Sequence, residues 1–271
     1  MSKIKFGPTG VGSVKDIISN LEKFTEMGFE AAEVLFTYGA YIKNKEDGLK
    51  IGEAVKRLGI FLSIHAPYYV NLNSKEPEKI ESSKKRILDC CKVANWIGAK
   101  RVVFHPGFYG STSLNSKELD VRLQVSEAAS VKIVEGIKEM QKVIKKEKWD
   151  VELCPEVMGK VNVFGSIEEI GNLVKETGCG ACIDIAHVLA RYGKYEFEEI
   201  AETFKMKKWH VHFSGIEYGE KGEKKHLVTP SGEWKKVLGF MSKLEKDVVI
   251  ICESPKSVED SLNGMKINAS L

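Results

Sequence analysis

Six apolar, β-rich runs each carry a histidine or a carboxylate at or beside their end. They are His65 in "FLSIH", His105 in "RVVFH", Glu156 in "DVELCPE", Asp184 in "ACID", His212 in "WHVHF" and Glu253 in "VVIICE". A carboxylate that closes a buried run must be ion-paired, well hydrogen-bonded or bound to a metal, because an isolated charge there costs several kcal/mol or titrates away. Asp and Glu number 38 and His 6 in 271 residues. One such residue at a given place is therefore unremarkable, and six in succession are not. No Arg or Lys stands at a strand end to neutralise the three carboxylates. A cluster of divalent cations does so, and mixed imidazole and carboxylate ligation at about 2.0–2.2 Å suits Zn²⁺, with Mn²⁺ an alternative where oxygen ligands prevail. His187 follows Asp184 by three residues and faces the same place from the next turn. His210 lies two residues before His212, on the same strand face but deeper, and reads as a core or supporting residue.

Ligands this far apart in sequence meet only if the chain brings successive strand ends together. Eight strand-like runs, the six above with "KIKFG" and "AAEVLF", alternate with helical periodicity from end to end. Their near-continuous Val and Ile content suits strands buried on both faces, and repeated βα units build a parallel sheet. The reading is an α/β chain forming a (β/α)8 TIM barrel, one domain over residues 1–271, whose chemistry lies at the carboxyl ends of its strands. Helices are expected from Val14 to Met27 behind a Ser13 cap, and from about Ser116 to Lys148. Gly28, Gly59 and Gly98 each close a helix before a strand.

Composition narrows the class. A hydrophobic fraction of 43% and a charged fraction of 29% are those of an ordinary soluble protein. No apolar run approaches the roughly 18 residues of a membrane span, so no membrane partner is expected. The first residues lack the apolar core and cleavage site of a leader, and the expected location is cytoplasmic. Cys90, Cys91, Cys154, Cys179, Cys182 and Cys252 are expected as reduced, buried thiols, the CxxC of Cys179 and Cys182 included. A net charge of +3 permits a nucleic-acid partner without arguing for one. Lysine pairs at 84–85, 145–146, 207–208 and 235–236 read as solvated helix faces, whereas Lys221, Lys224 and Lys225 fall on a loop beside the ligand set.

The stretches "SIHAPYYVNL" (63–72), "FHPG" (104–107), "PE" (155–156), "IDIAH" (183–187), "HVHF" (210–213) and "CESP" (252–255) resemble the successive motifs of endonuclease IV, the zinc-dependent apurinic/apyrimidinic endonuclease family. Order and spacing agree over nearly the whole chain. The H-x-x-Y-x-x-N-L pattern of His65, Tyr68, Asn71 and Leu72 is specific to that family within its superfamily. The resemblance implies that His65 and His105 bind a first zinc, that Glu156 bridges it to a second, and that Asp184, His212 and Glu253 complete the second. His187 and His226 would fall at a third. It further implies hydrolysis of the phosphodiester 5′ to an abasic site in double-stranded DNA, with Glu156 the central catalytic residue and two or three Zn²⁺ ions, or Mn²⁺, as cofactor.

Three features depart from the family. Lys224 stands at the position of a metal-binding Asp, so either Glu223 or Glu220 replaces that carboxylate, or the third metal is weak or absent and Lys224 or Lys225 supplies positive charge to a DNA phosphate instead. Gly215 replaces an Asp after the seventh strand, and a Gly-rich motif is altered to "TPSGEW". Tyr38, Tyr41, Tyr68, Tyr69, Phe108 and Tyr109 fall in loops after strands two to four, where rings could wedge into a damaged duplex. Tyr68 and Asn71, with Lys224 and Lys225, are the expected DNA contacts. The competing reading is a divalent-metal sugar isomerase or epimerase of the xylose isomerase-like superfamily. Those enzymes share the quartet at Glu156, Asp184, His212 and Glu253, but a proton-shifting sugar enzyme needs no ligands at His65 and His105.

Overall fold

The computed structural model describes residues 4–110 and 119–271, with the backbone alone for 119–123. Eight strands are parallel barrel staves: β1 (Ile4–Pro8), β2 (Ala31–Leu35), β3 (Phe61–His65), β4 (Arg101–Phe104), β6 (Glu152–Pro155), β8 (Cys182–Asp184), β9 (Lys208–Phe213) and β12 (Asp247–Cys252). Four more sit above the rim: β5 (Gly107–Phe108) pairs antiparallel with β7 (Val163–Phe164), and β10 (Gly215–Gly219) with β11 (Gly222–Leu227).

The staves form two ladders, β1-β12-β9-β8 and β2-β3-β4-β6. Parallel bridges at Thr9–Glu33 and Glu156–Cys182 join them. The Gly10 amide donates to the Glu33 carbonyl at 2.9 Å and the Val157 amide to that of Cys182 at 3.0 Å, which closes the ring and leaves no free edge. The expected (β/α)8 barrel is thus the fold.

Outside the staves run α1 (Ile17–Glu26), α2 (Lys45–Leu58), α3 (Pro77–Ile97), α4 (Leu119–Lys146), α5 (Ile167–Thr177), α6 (Ile185–Tyr192), α7 (Phe197–Thr203), α8 (Ser231–Met241) and α9 (Ser257–Asn268). Gly59 and Gly98 end α2 and α3 in the left-handed conformation, as expected. The first helix starts three residues later than its periodicity predicts. Ser13 Oγ donates to the Asp16 carboxylate at 2.5 Å, so 13–16 form a turn and Asp16 becomes the residue before the helix. The expected helix start at Ser116 lies outside the described residues. Lys84 also differs from expectation: it is mostly covered and paired with Glu81 on its own helix and Glu139 on α4.

Period-two alternation sends one side chain of each stave pair outward and the next inward. The outward set, including Val34, Leu62, Ile64, Val102, Leu153, Ile183, Val211 and Ile250, belongs to the large core under the helices. Inside the barrel the apolar content is small: Ala31, Val249 and Ile251 on one side, Val103, Cys154 and Cys182 on the other. Glu33, Ser63 and His210 are buried as well. All six cysteines are free and buried, and burial pushes the Cys154 and Cys182 thiols up, which keeps them unreactive.

Candidate metal centre

All six histidines of the chain meet at or just beneath the carboxyl end of the barrel, over a cavity of about 580 Å³. Together with nearby carboxylates, they offer potential ligand atoms in three groups, each within 4.8 Å: His65, His105 and Glu156; Glu156, Asp184, His212 and Glu253; and His187, Glu223 and His226. Glu156 belongs to two of them. Its Oε2 lies 3.2 Å from His65 Nε2 and 3.0 Å from His105 Nε2, while Oε1 lies 3.1 Å from His212 Nδ1. One carboxylate thus shows a different oxygen to each group. A further group of Cys182, His210 and His212 lies deeper.

The second nitrogen of most rings is already occupied. His65 Nδ1–H donates to the Ala66 carbonyl at 2.8 Å and His187 Nδ1–H to that of Val157 at 3.0 Å. Ser214 Oγ gives its hydrogen to the Gly215 carbonyl, so His226 Nδ1–H donates to that hydroxyl at 2.7 Å. Each pairing fixes the ring plane and turns Nε2 into the mouth, the arrangement that orients imidazoles for a metal. Asp184 Oδ1 accepts the His187 amide at 2.7 Å and so caps α6. Its Oδ2 and His187 Nε2 are buried without a hydrogen-bond partner. Such orphans cost about 1–3 kcal/mol each, and a divalent cation in each of the two groups to which these residues belong would remove the cost. The residues present therefore fit a divalent metal.

Electrostatics agree. Burial alone raises a carboxylate, yet the charges and hydrogen bonds of the surrounding imidazoles hold Glu156 well below the usual range, and His212 holds Glu253 down to about 2. Asp184 behaves oppositely: burial, with Glu253 and Glu156 nearby, pushes it up to about 8. Burial opposes the charge on His65 and His187, but Glu156 and Asp184 respectively outweigh it and raise both to about 9. In the metal-free protein at pH 7 all three groups thus hold a proton that a cation must displace. Apparent metal affinity is expected to rise as pH climbs from 7 to 9, with protons released on metal addition at pH 7. A pH-indicator dye in weak buffer reads that release, and an affinity flat from pH 6 to 9 would contradict the assignment.

Glu223 is the carboxylate that joins His187 and His226, its Oε2 lying 3.4 Å from His187 Nε2. In a regular strand residues 223 and 226 face opposite sides. The β10–β11 pairing shifts register between Glu217, which faces Lys225, and Tyr218, which faces Glu223. Lys224 is the extra residue of that bulge, so Glu223 and His226 share a face. Gly222 permits the approach: its φ is +86°, and a Cβ there would sit 2.1 Å from the Gly159 carbonyl oxygen. Lys224 and Lys225 are exposed, line the mouth and pair with Glu217 at 3.6 and 3.2 Å.

The other expected contact residues separate. Tyr38, Tyr68, Tyr69 and Phe108 are exposed, and Tyr38 and Tyr69 stack at 6.5 Å. Tyr68 lies against His65 and His105. Tyr41 and Tyr109 are turned inward, donating to the Gly12 carbonyl and to Glu169. Asn71 Oδ1 accepts the Asn73 and Phe108 amides at 3.0 and 3.2 Å, so it braces the β3 and β4 loops against each other.

The sequence profile of the xylose isomerase-like TIM barrel family matches residues 21–268. The chain belongs to that family. The proteins it is similar to carry different names. An uncharacterized protein of Methanocaldococcus jannaschii is 33% identical over 96% of this chain and 95% of its own length. A probable endonuclease 4 of Mycoplasma genitalium is 26% identical over 72% of this chain and 67% of its own. Among solved structures, endonuclease IV from Thermus thermophilus superposes with a TM-score of 0.72 at 19% identity, covering 98% of both chains. A D-tagatose 3-epimerase-like protein gives 0.73 at 21%, covering 98% of this chain and 96% of its own. At such identities the superpositions speak for the xylose isomerase-like fold alone.

One buried residue of this xylose isomerase-like barrel is unmarked in the sequence. Glu33, in the middle of β2, accepts from Ser63 Oγ at 2.7 Å and contacts both His210 and His212. Burial opposes its charge, but those imidazoles hold it below the usual carboxylate range. The available signal is a carboxylate inside "AAEVLF", a run otherwise apolar on both faces.

Proposed function

We propose that this protein is a metal-dependent phosphodiester hydrolase acting on DNA, cutting 5′ to an abasic site, with Zn²⁺ as its metal. The observation that carries the reading is the pair His65 and His105 on Glu156 Oε2. A sugar epimerase works with the Glu156, Asp184, His212 and Glu253 quartet and has no use for that pair. His65, His105 and Glu156 would hold one cation, and Glu156, Asp184, His212 and Glu253 a second. When bound, closely spaced divalent cations supply an activated water and stabilise charge on the phosphoryl oxygens and the leaving alkoxide. Glu156 holds the two ligand sets in fixed relation, one oxygen to each. The exposed rings of Tyr38, Tyr68, Tyr69 and Phe108 form the apolar rim against which a duplex with a missing base would lie, and Lys224 and Lys225 meet its phosphates.

His187, Glu223 and His226 supply a third site, which answers the loss of the family Asp at Lys224. Glu223→Gln is expected to lower the metal content by one equivalent. Lys224→Ala should leave that content unchanged and weaken duplex binding, with a slope of log K against log salt shallower by about 0.9 for each phosphate the protein no longer neutralises. Elemental analysis and a salt titration read the two quantities, and a fall in metal content for Lys224→Ala would reverse the roles.

The test of the function is incubation of zinc-loaded protein with a duplex carrying one abasic analogue. The expected product is a nick 5′ to the lesion that ends in a 3′-hydroxyl. An intact duplex together with interconversion of ketose epimers by the same preparation would replace the nuclease reading with the sugar-epimerase one.

A further inference from the structure

His212 differs from the other rings in what holds its far nitrogen. Where His65 and His187 use backbone carbonyls and His226 a serine, His212 Nε2 lies against a buried carboxylate, 3.2 Å from Glu33 Oε1 and 3.3 Å from Oε2. Its Nδ1 is thereby turned to Glu156 Oε1 at 3.1 Å and Glu253 Oε1 at 3.4 Å. Glu33 is itself fixed. Ser63 Oγ donates to its Oε2 at 2.7 Å, and His210 Nε2 lies 3.3 Å from the same oxygen. Glu33, Ser63, His210 and His212 are all buried, away from bulk solvent.

Two neighbouring staves, β2 and β3, and a third across the barrel, β9, build the device. Ser63 faces Glu33 across the β2–β3 register, and His212 faces Asp184 across β8–β9. His210 and His212 are two apart on β9, so both turn inward and Glu33 reaches both. A carboxylate on the far side of a metal-bound imidazole selects the tautomer, fixes the ring plane and makes the ligating nitrogen more basic.

We propose that Glu33 is the positioning residue of the metal centre: it holds His212 with Nε2–H on its carboxylate and Nδ1 directed at the cation shared with Glu156, Asp184 and Glu253. This rests on the metal-centre part of the proposed function and is independent of whether the substrate is DNA or a sugar.

The test is chelator competition on purified wild type, Glu33→Gln and Ser63→Ala, each loaded with Zn²⁺, and the visible spectrum of the Co²⁺ forms. Glutamine keeps size and an acceptor oxygen but removes the charge. One equivalent of metal is expected to bind about 10- to 100-fold more weakly in Glu33→Gln, while the equivalent held by His65 and His105 keeps its affinity. Ser63→Ala keeps the charge and loosens its orientation, so a smaller loss at the same equivalent is expected, with a shifted Co²⁺ absorption band. It carries the test should Glu33→Gln fail to fold. If folded Glu33→Gln binds every equivalent as tightly as wild type, Glu33 only fills the barrel and the proposal falls alone. A wild type that binds no divalent cation overturns the metal-centre reading along with it.

Discussion

Glu156→Gln is expected to leave the barrel folded and to lower strand incision by several orders of magnitude. The side chain is fully buried and its two oxygens face different ligand sets, so one neutral amide would weaken both metal bonds of the proposed centre at once. It also replaces an acceptor by an NH₂ group that points a donor at an imidazole or a cation. In the proposed two-metal hydrolysis both ions would depend on this residue, and the effect should fall on kcat with little change in duplex affinity, because the exposed rings and lysines of the rim are untouched. Circular dichroism and elemental analysis accompany the assay: native ellipticity with reduced metal and abolished cutting is the expected result. Cutting at the wild-type rate would remove Glu156 from its central role.

The parts legible in the sequence share one physical cause. A parallel barrel places function at the carboxyl ends of its staves, and those ends are marked by the change from apolar to polar residues. His65, His105, Glu156, Asp184, His212 and Glu253 can therefore be found one stave at a time. Nothing comparable marks Glu33. It lies mid-strand, and its partners Ser63, His210 and His212 come from β3 and β9, of which only closure of the barrel brings β9 near β2.

Glu223 is hidden for a different reason. The stretch "GEKKHL" has no apolar alternation to fix a register. The hairpin bulge that turns Glu223 toward His187 depends on contacts with the loop after β6, where Lys160 bridges to Gly222 and the Glu223 amide donates to the Gly159 carbonyl at 3.2 Å. Spacing alone leaves Glu223 and Glu220, at the hairpin turn, as equal candidates. The late start of α1 is a third kind of miss. Ser13 reads as a helix cap by type, but its hydroxyl binds the Asp16 carboxylate, a choice between two local partners that periodicity does not decide.

Joint replacement of His65 and His105 by alanine separates the two readings of the centre, with an effect second only to that at Glu156. Both rings reach Glu156 Oε2 through Nε2, so the double variant leaves that oxygen with no companion ligand while the Glu156, Asp184, His212 and Glu253 set stays complete. A three-residue zinc site that loses two ligands does not hold its ion. The expected result is a fall of one metal equivalent and loss of incision, with the quartet still loaded. A hydrolase that needs both ions is then inactive, whereas a proton-shifting sugar enzyme, which works from the quartet, keeps its rate. His105 is the more exposed of the two, so His105→Ala alone isolates the ligand effect from any packing defect left by the buried His65 ring, and it should already lower occupancy of that equivalent. Full metal content in the double variant would make these imidazoles hydrogen-bonding supports for Glu156, and retained epimerisation by the same protein would settle the chemistry in favour of a sugar.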